Sequence, residues 1–350
     1  MKWLAPLLAF VPLSILLHFL HINPVWVFLT SALAIVPLAG FMGMATEELA
    51  KRFGSSIGGL LNATFGNAAE LIITLIAVRA GKLELVLASL TGSIIGNILL
   101  VLGLSVFLGG LKFKIQRFNA DVAGVHTVMM ILAVIAMYTP SLFVHLMPQQ
   151  TNGGDVLNLS LWVSGLLILL YLASLWFSLK THQDLFKSAE EDHHPPRWSR
   201  TTAYLTLGAA TAFVAWESEI LVHSLEPAVA TLGMSEMFVG VIVLPIIGNA
   251  AEHASAVVFA VKNKMDISLN ICISSSTQIA LFVAPLLVFL SIPLGHPMSF
   301  VFNDFELIAV GFSALIAAFI ARDGQCNWLE GAQLLAVYLI LAFAFYFIPK

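Results

Sequence analysis

Eleven apolar runs follow one another along the chain, each long enough to cross a bilayer as a helix. They fall at about residues 3–20, 24–43, 57–79, 84–109, 119–139, 158–180, 202–223, 236–261, 266–291, 302–321 and 328–348. Crossing the hydrocarbon core takes roughly 20 predominantly apolar residues in a helix. Only 10% of the 350 residues are charged, against about 25% in soluble domains. Too little polar surface remains to cover a water-facing globule, so the expected fold class is an all-α polytopic membrane protein of 11 transmembrane helices. Lys2 and the apolar run after it resemble a signal peptide, but no small-x-small cleavage site follows. Residues 1–23 are therefore expected to stay as a first transmembrane helix.

The distribution of Lys and Arg sets the expected orientation. With the N-terminus inside, 13 of the 16 fall in cytoplasmic segments, and only Arg79, Lys82 and Lys350 lie outside. That asymmetry follows the positive-inside rule and puts the C-terminus outside. Trp3, Trp26, Trp162, Trp176 and Trp328 lie near the ends of runs, where an interfacial belt belongs. One polar break interrupts the chain at 181–200, with Glu190, Glu191, Asp192, His193, His194 and Pro195-Pro196. It is expected to be a solvated, acidic cytoplasmic linker.

The chain also repeats itself. Gly66-Asn67-Ala68-Ala69-Glu70 recurs as Gly248-Asn249-Ala250-Ala251-Glu252, 182 residues later. Continuing the comparison through Leu104 gives 11 matches in 39 positions, among them Lys82/Lys264 and Ser93/Ser275. The motifs lie in the third and eighth runs, an odd number apart, so they enter the membrane from opposite sides. Repeat 1 (24–180) and repeat 2 (201–350) are thus expected to be inverted five-helix units, a plan that places sites at the midplane between the halves.

Glu70 and Glu252 sit within their runs, where ionisable groups are expensive and face a bundle interior. Two carboxylates sharing a low-dielectric site repel, and desolvation opposes their charge, so the pair favours protons. A divalent cation supplies the missing counter-charge. Proton and cation then exclude each other on the same oxygens, which is the physical requirement of an antiporter. Ca²⁺ takes about 6–8 oxygen ligands, and two glutamates offer four at most. Asn67 and Asn249, three residues before the glutamates, are expected on the same helix face. Gly66 and Gly248 remove bulk one turn earlier, and Pro245 lacks the donor that would hold a straight helix. Ser93 and Asn97 in the fourth run, and Ser275 and Gln278 in the ninth, are further oxygen donors. The polar stretch Ser268–Gln278 is expected to form a wetted wall opposite Glu252.

Other polar residues carry blander expectations. Glu217 and Glu219 point to different faces and suit membrane-edge contacts, with one of them a candidate for an ion path. His126, His223 and His253 read as packed side chains, and Glu47-Glu48 with Lys51-Arg52 as a solvated helix end. Cys272 and Cys326 fit no metal or redox spacing and read as packed small residues. The motifs of intramembrane or serine hydrolases are absent from the sequence, so neither an enzyme nor a bound cofactor is expected.

At its motif pair the sequence resembles the Ca²⁺/cation–proton antiporter (CAX) family, of bacterial type. "GNAAELI" and "GNAAEH" look like the two core repeats, "SIIGNILLVLGL" and "SSSTQIALFVAPL" like the segments that follow them. Lys180-Thr181-His182 and Asn327-Trp328-Leu329-Glu330-Gly331 are further marks. The resemblance implies Glu70 and Glu252 as the exchanged-ion carboxylates, and ten helices in two inverted repeats after a dispensable first helix. It implies Ca²⁺ and H⁺ as cargo in a bacterial inner membrane. A Na⁺(K⁺)/H⁺ or Mn²⁺/H⁺ exchanger and a passive cation channel are the alternatives. Nucleic acid is not an expected partner, and a homo-oligomer is left open.

Overall fold

The computed structural model describes residues 4–147, 152–186 and 195–348, without the side chains of 54–57, 59, 62 and 63. The acidic-histidine cluster of the linker lies outside the described residues.

Thirteen helices carry the described residues. They are α1 (Leu4–Phe19), α2 (Pro24–Phe65), α3 (Ala68–Arg79), α4 (Leu83–Lys112), α5 (Ala120–Leu146), α6 (Gly153–Thr181), α7 (Gln183–Phe186), α8 (Arg200–Leu232), α9 (Glu236–Gly248), α10 (Ala250–Val261), α11 (Met265–Ser291), α12 (Asp304–Ile320) and α13 (Trp328–Phe347). Seven are long and apolar enough to span a membrane, and the bent pair α9–α10 makes an eighth. The protein is therefore an all-helical polytopic membrane protein. The remaining expected spans correspond to the shorter helices α1, α3 and α12.

The third and eighth runs, expected as continuous spans, are broken. Phe65 ends α2 and Ala68 starts α3. Gly248 ends α9, Ala250 starts α10, and the axes turn by 64°. Ahead of that break, Pro245 has no N–H for the carbonyl of Val241 four residues earlier, beside a π-helical turn at Val239–Val243. That carbonyl lies against Gly92 of α4, where an added Cβ would overlap it. Gly240 makes the reciprocal contact, since a Cβ there would stand 2.6 Å from the Ala88 Cβ. Backbone meets backbone at this crossing of α4 and α9.

The segment between the second and third runs, where Glu47-Glu48 and Lys51-Arg52 were expected as a helix end, is helical well past residue 43. Residues 44–53 continue α2, which serves as a span through Phe53. Met44-Ala45-Thr46-Glu47-Glu48-Leu49-Ala50 contains no helix breaker, and Glu47 pairs with Lys51 at 2.7 Å one turn on, a spacing that supports a helix. The turn back follows shortly. A Cβ on Gly58 would stand 2.6 Å from the Ala50 carbonyl oxygen, although eight residues of straight helix would separate them by about 12 Å.

Both α4 and α11, which follow the broken spans, contain a π-helical turn, at Gly96–Val101 and Ile279–Val283. The two turns fall at matching positions of the 182-residue repeat.

The loops sort to two ends. At one, β1 (Gln116–Arg117) pairs antiparallel with β2 (Gln325–Cys326). Gln116 Nε2 donates to the Ala260 carbonyl at 2.8 Å, Lys112 Nζ to that of Val261 at 3.0 Å, and the Asn119 N–H to Asp266 Oδ1 at 2.5 Å. These segments were all expected on the Lys/Arg-rich side. At the other end Lys82 Nζ bonds Glu226 (2.7 Å) and Glu236 (3.1 Å), and Arg79 pairs with Glu219 at 3.6 Å. Trp26, Trp162, Trp176 and Trp328 are exposed, as interfacial residues should be. Cys272 and Cys326 are both buried, unbridged thiols.

Candidate functional site

The breaks place the two glutamates. Glu70 is the third residue of α3 and Glu252 the third of α10, so each begins a short helix rather than sitting inside a long one. Helix starts carry unpaired N–H groups and partial positive charge, which favour a carboxylate. Asn67 and Asn249 occupy the breaks themselves, at the position before the first helical residue. The expected shared helix face is thus replaced by a cap position.

Each glutamate is held by its own half and reached by the other. Ser93 of α4 donates a short hydrogen bond to Glu70 Oε1, and Asn249 Nδ2 donates to Ser93 Oγ at 3.4 Å. In the other half Ser275 Oγ lies 3.1 Å from Glu252 Oε2 and 2.7 Å from Asn67 Oδ1. Asn67 Nδ2 donates to Gln278 Oε1 at 2.9 Å. The glutamate–serine–asparagine motif therefore occurs twice, with the asparagine always from the opposite repeat. Gln278 has no counterpart, because the equivalent position of repeat 1 is Gly96.

Gly248 backs onto Glu70, where a Cβ would lie 4.0 Å from the Glu70 Cβ. Asn97 Oδ1 is 3.1 Å from His253 Nε2, while Asn97 Nδ2 is buried without a partner. Oε2 of Glu70 is also buried and unpartnered. A buried carboxylate oxygen left open is costly and offers a ready coordination point for a cation.

A cavity of about 370 Å³ reaches Glu252, Ser275, Gln278 and Gly66, with its mouth at Asn119 and Asp266 on the Lys/Arg-rich end. Glu70 is 2% exposed and does not line it. The two glutamates thus differ in access, one facing the cavity and one enclosed. Asn270 and Ser274 also line the cavity. Ser268, Ser276 and Thr277 are buried, and the last two donate to carbonyls one turn back. The wetted wall is accordingly about half of the expected stretch, since a helix with 3.6 residues per turn presents only one face to the cavity.

Two acidic residues differ from their expectations, and a third had not been singled out. Glu217 is fully buried against Ser14, neither a membrane-edge contact nor part of the cavity. Glu48 is 7% exposed, and its Oε2 accepts from the N–H groups of Arg197 (2.6 Å) and Trp198 (3.0 Å). The supposed solvated helix end is a clamp on the chain entering α8. Glu306 is buried, accepting from Thr91 Oγ1 at 3.0 Å and from the Asn303 N–H at 2.9 Å. Its signal in the sequence was the capping pattern Asn303-x-x-Glu306.

Two broken helices, crossing with carboxylates at their inner starts and flanked by π-bulged partners, define a membrane protein of the cation-exchanger type. The chain belongs to the sodium/calcium exchanger protein family, whose model matches residues 23–180 and 202–347. It is 48% identical to a Ca(2+)/H(+) antiporter of Aphanothece halophytica, over 98% of this chain and 96% of that one. It is 46% identical to the Ca(2+)/H(+) antiporter ChaA of Bacillus subtilis, over 96% of each. The solved structure of native YfkE superposes with a TM-score of 0.87 at 44% identity, covering 99% of both chains. The resemblance read from the motifs thus holds over the full length.

Proposed function

We propose that this protein exchanges Ca²⁺ for H⁺ across the cell membrane by alternating access, with Glu70 and Glu252 holding either the cation or protons. The observation that carries the reading is the duplicated glutamate–serine–asparagine network with Glu70 Oε2 left unpartnered at its centre. The names of the relatives from Aphanothece and Bacillus agree with it. Asn67, Asn249, Ser93, Ser275, Asn97 and Gln278 supply further polar atoms, and Gly66 and Gly248 supply room.

The hydrogen count fits competition. Ser275 has one hydroxyl hydrogen and two acceptors within reach, Asn67 Oδ1 and Glu252 Oε2. A protonated Glu252 donates to Ser275, which is then free to donate to Asn67. A cation at Glu252 takes the place of that proton. Units 24–180 and 201–350, joined by the 181–200 linker, would rock about this site, and the cavity at Glu252 corresponds to the inward-open arrangement if the Lys/Arg-rich end is cytoplasmic. Proton entry would then drive Ca²⁺ out of the cell.

The test is ⁴⁵Ca²⁺ uptake into inverted vesicles with an acid interior, comparing wild type with Glu70→Gln and Glu252→Gln. Gradient-dependent uptake lost in both variants supports the reading. Normal uptake in either variant removes that glutamate from the mechanism. Uptake of Na⁺, K⁺ or Mn²⁺ in place of Ca²⁺ would reassign the cargo and keep the site.

A further inference from the structure

Glu217 is a buried carboxyl that the exchange reaction does not use. It lies in α8 with no exposure, and its one described hydrogen-bond partner is the hydroxyl of Ser14 in α1, 2.7 Å from both carboxyl oxygens. Ser14 is itself fully buried, and its Oγ also lies 2.9 Å from the Val11 carbonyl.

The hydrogens at this contact can be counted. A serine hydroxyl has one hydrogen to donate. The Val11 carbonyl can only accept, and an ionised Glu217 could also only accept. Two acceptors would then compete for one hydrogen, and a buried charge at membrane depth would be left with half a partner, an arrangement that is costly. A protonated Glu217 resolves the conflict. Its O–H donates to Ser14 Oγ, and the Ser14 O–H donates to the Val11 carbonyl, so every hydrogen is placed.

Apart from His18 of α1, the charged groups on the elements packed against α8 are engaged elsewhere. α8 packs on α1, α2, α3 and α9. On α1 the only titratable side chain described is His18. On α2, Glu47 pairs with Lys51, Glu48 with the Arg197 and Trp198 N–H groups, and Arg52 with the Trp198 carbonyl. On α3, Glu70 is held by Ser93 and Arg79 pairs with Glu219 of α8 itself. Glu236 of α9 bonds Lys82, as does Glu226 of α8. His223 of α8 contacts the Glu219 carbonyl.

We propose that Glu217 carries a proton of its own, separate from any at Glu70 and Glu252, and that this proton fastens α1 to α8. Around the contact Val11 packs in one apolar cluster with Ala34 and Leu38 of α2, Ala68 and Ala69 of α3, and Val214 of α8. α1 thereby shares one apolar seat with the first turn of the helix that bears Glu70. Loss of the Glu217 proton would leave a charge facing a single hydroxyl and loosen that seat. α1 is thus a proton-sensitive element laid across both halves, and this holds whatever the transported cation.

Infrared difference spectroscopy on the full-length protein in nanodiscs tests the proton directly. One component of the carbonyl stretch of protonated carboxylic acids, distinct from any due to Glu70 and Glu252, should be lost in Glu217→Gln and shifted in Ser14→Ala, which keeps the acid but removes its acceptor. A spectrum unchanged by Glu217→Gln overturns the proposal. If that variant does not fold, an unshifted band in Ser14→Ala does the same. Docking is read by disulfide formation between Val11→Cys and Val214→Cys, with Cys272 and Cys326 changed to Ala. Crosslinking relative to the matched Glu217→Gln protein should fall severalfold as pH rises, and a constant ratio overturns the fastening role.

Discussion

Asn67 donates its side-chain N–H to Gln278 Oε1 at 2.9 Å, joining the break in one half to the π-bulged helix of the other. Removing the acceptor leaves a nearly buried amide nitrogen without a partner, which costs about 1–3 kcal/mol. Gln278→Ala should therefore lower the thermal midpoint in detergent, whereas Gln278→Glu, which keeps an acceptor, should recover much of the loss at neutral pH. Equal midpoints for wild type and Gln278→Ala would show that this bond is not part of the folded state's stability.

Gly92 offers a steric test. A Cβ there overlaps the Val241 carbonyl, and backbone atoms cannot swing away as a side-chain tip can. Gly92→Val should force α4 from α9, separate Ser93 from Asn249 and abolish transport together with much of the folded yield. Gly124→Ala is the control, because nothing lies within 4 Å of its added Cβ. That change should be neutral or stabilising by up to about 1 kcal/mol. Fluorescence-detected size exclusion would separate the two outcomes.

Glu48 predicts protease sensitivity. Its Oε2 holds the N–H groups of Arg197 and Trp198, at the end of the linker. Glu48→Ala removes both acceptor bonds and should expose the segment before α8, so that limited trypsin digestion at Arg197 and Arg200 runs several times faster than in wild type. Glu48→Gln retains an acceptor oxygen and should be intermediate. An unchanged cleavage rate in Glu48→Ala would mean that the clamp does not hold the chain.

Lys82 predicts a pH dependence at the opposite end. Hydrogen bonding to Glu226, ahead of that to Glu236, holds its ammonium above the ordinary lysine range, despite an opposing cost of burial. The sign follows from the folded pKa exceeding the unfolded one. The pairing contributes stability below the unfolded value of about 10.4 and loses it as pH rises through the folded value. Lys82→Met should therefore lower the midpoint slightly at neutral pH, with the difference shrinking at alkaline pH and in high salt, which screens exposed pairs. A difference independent of both would assign the effect to packing.

Much of the architecture was legible because lipid imposes it. Runs such as 84–109 and 266–291 read directly as spans, and the repeated pentapeptide located both glutamates and their inverted relation. The breaks at Asn67 and Asn249 were not legible, since their neighbours Ala68 and Ala250 suit a continuous helix and the interruption depends on what packs alongside. Residues 44–53 fell outside the apolar runs because they are polar, yet polarity marks the membrane edge rather than the end of a helix. Glu48, Glu217 and Glu306 were misplaced or passed over for a related reason. Their burial is set by Arg197, Ser14 and Thr91, partners 149, 203 and 215 residues away, which no local pattern reveals.

The contact of Gly92 with Val241 makes the crossing of α4 and α9 a fulcrum. With no side chains between the backbones, the helices can pivot there but cannot be squeezed closer. From Gly92 the arm to Leu83 is about 14 Å and the arm to Lys112 about 30 Å, at 1.5 Å per residue. Any rotation is thus geared, moving the Lys112 end roughly twice as far as the Leu83 end, while Ser93, one residue from the pivot, hardly moves at all.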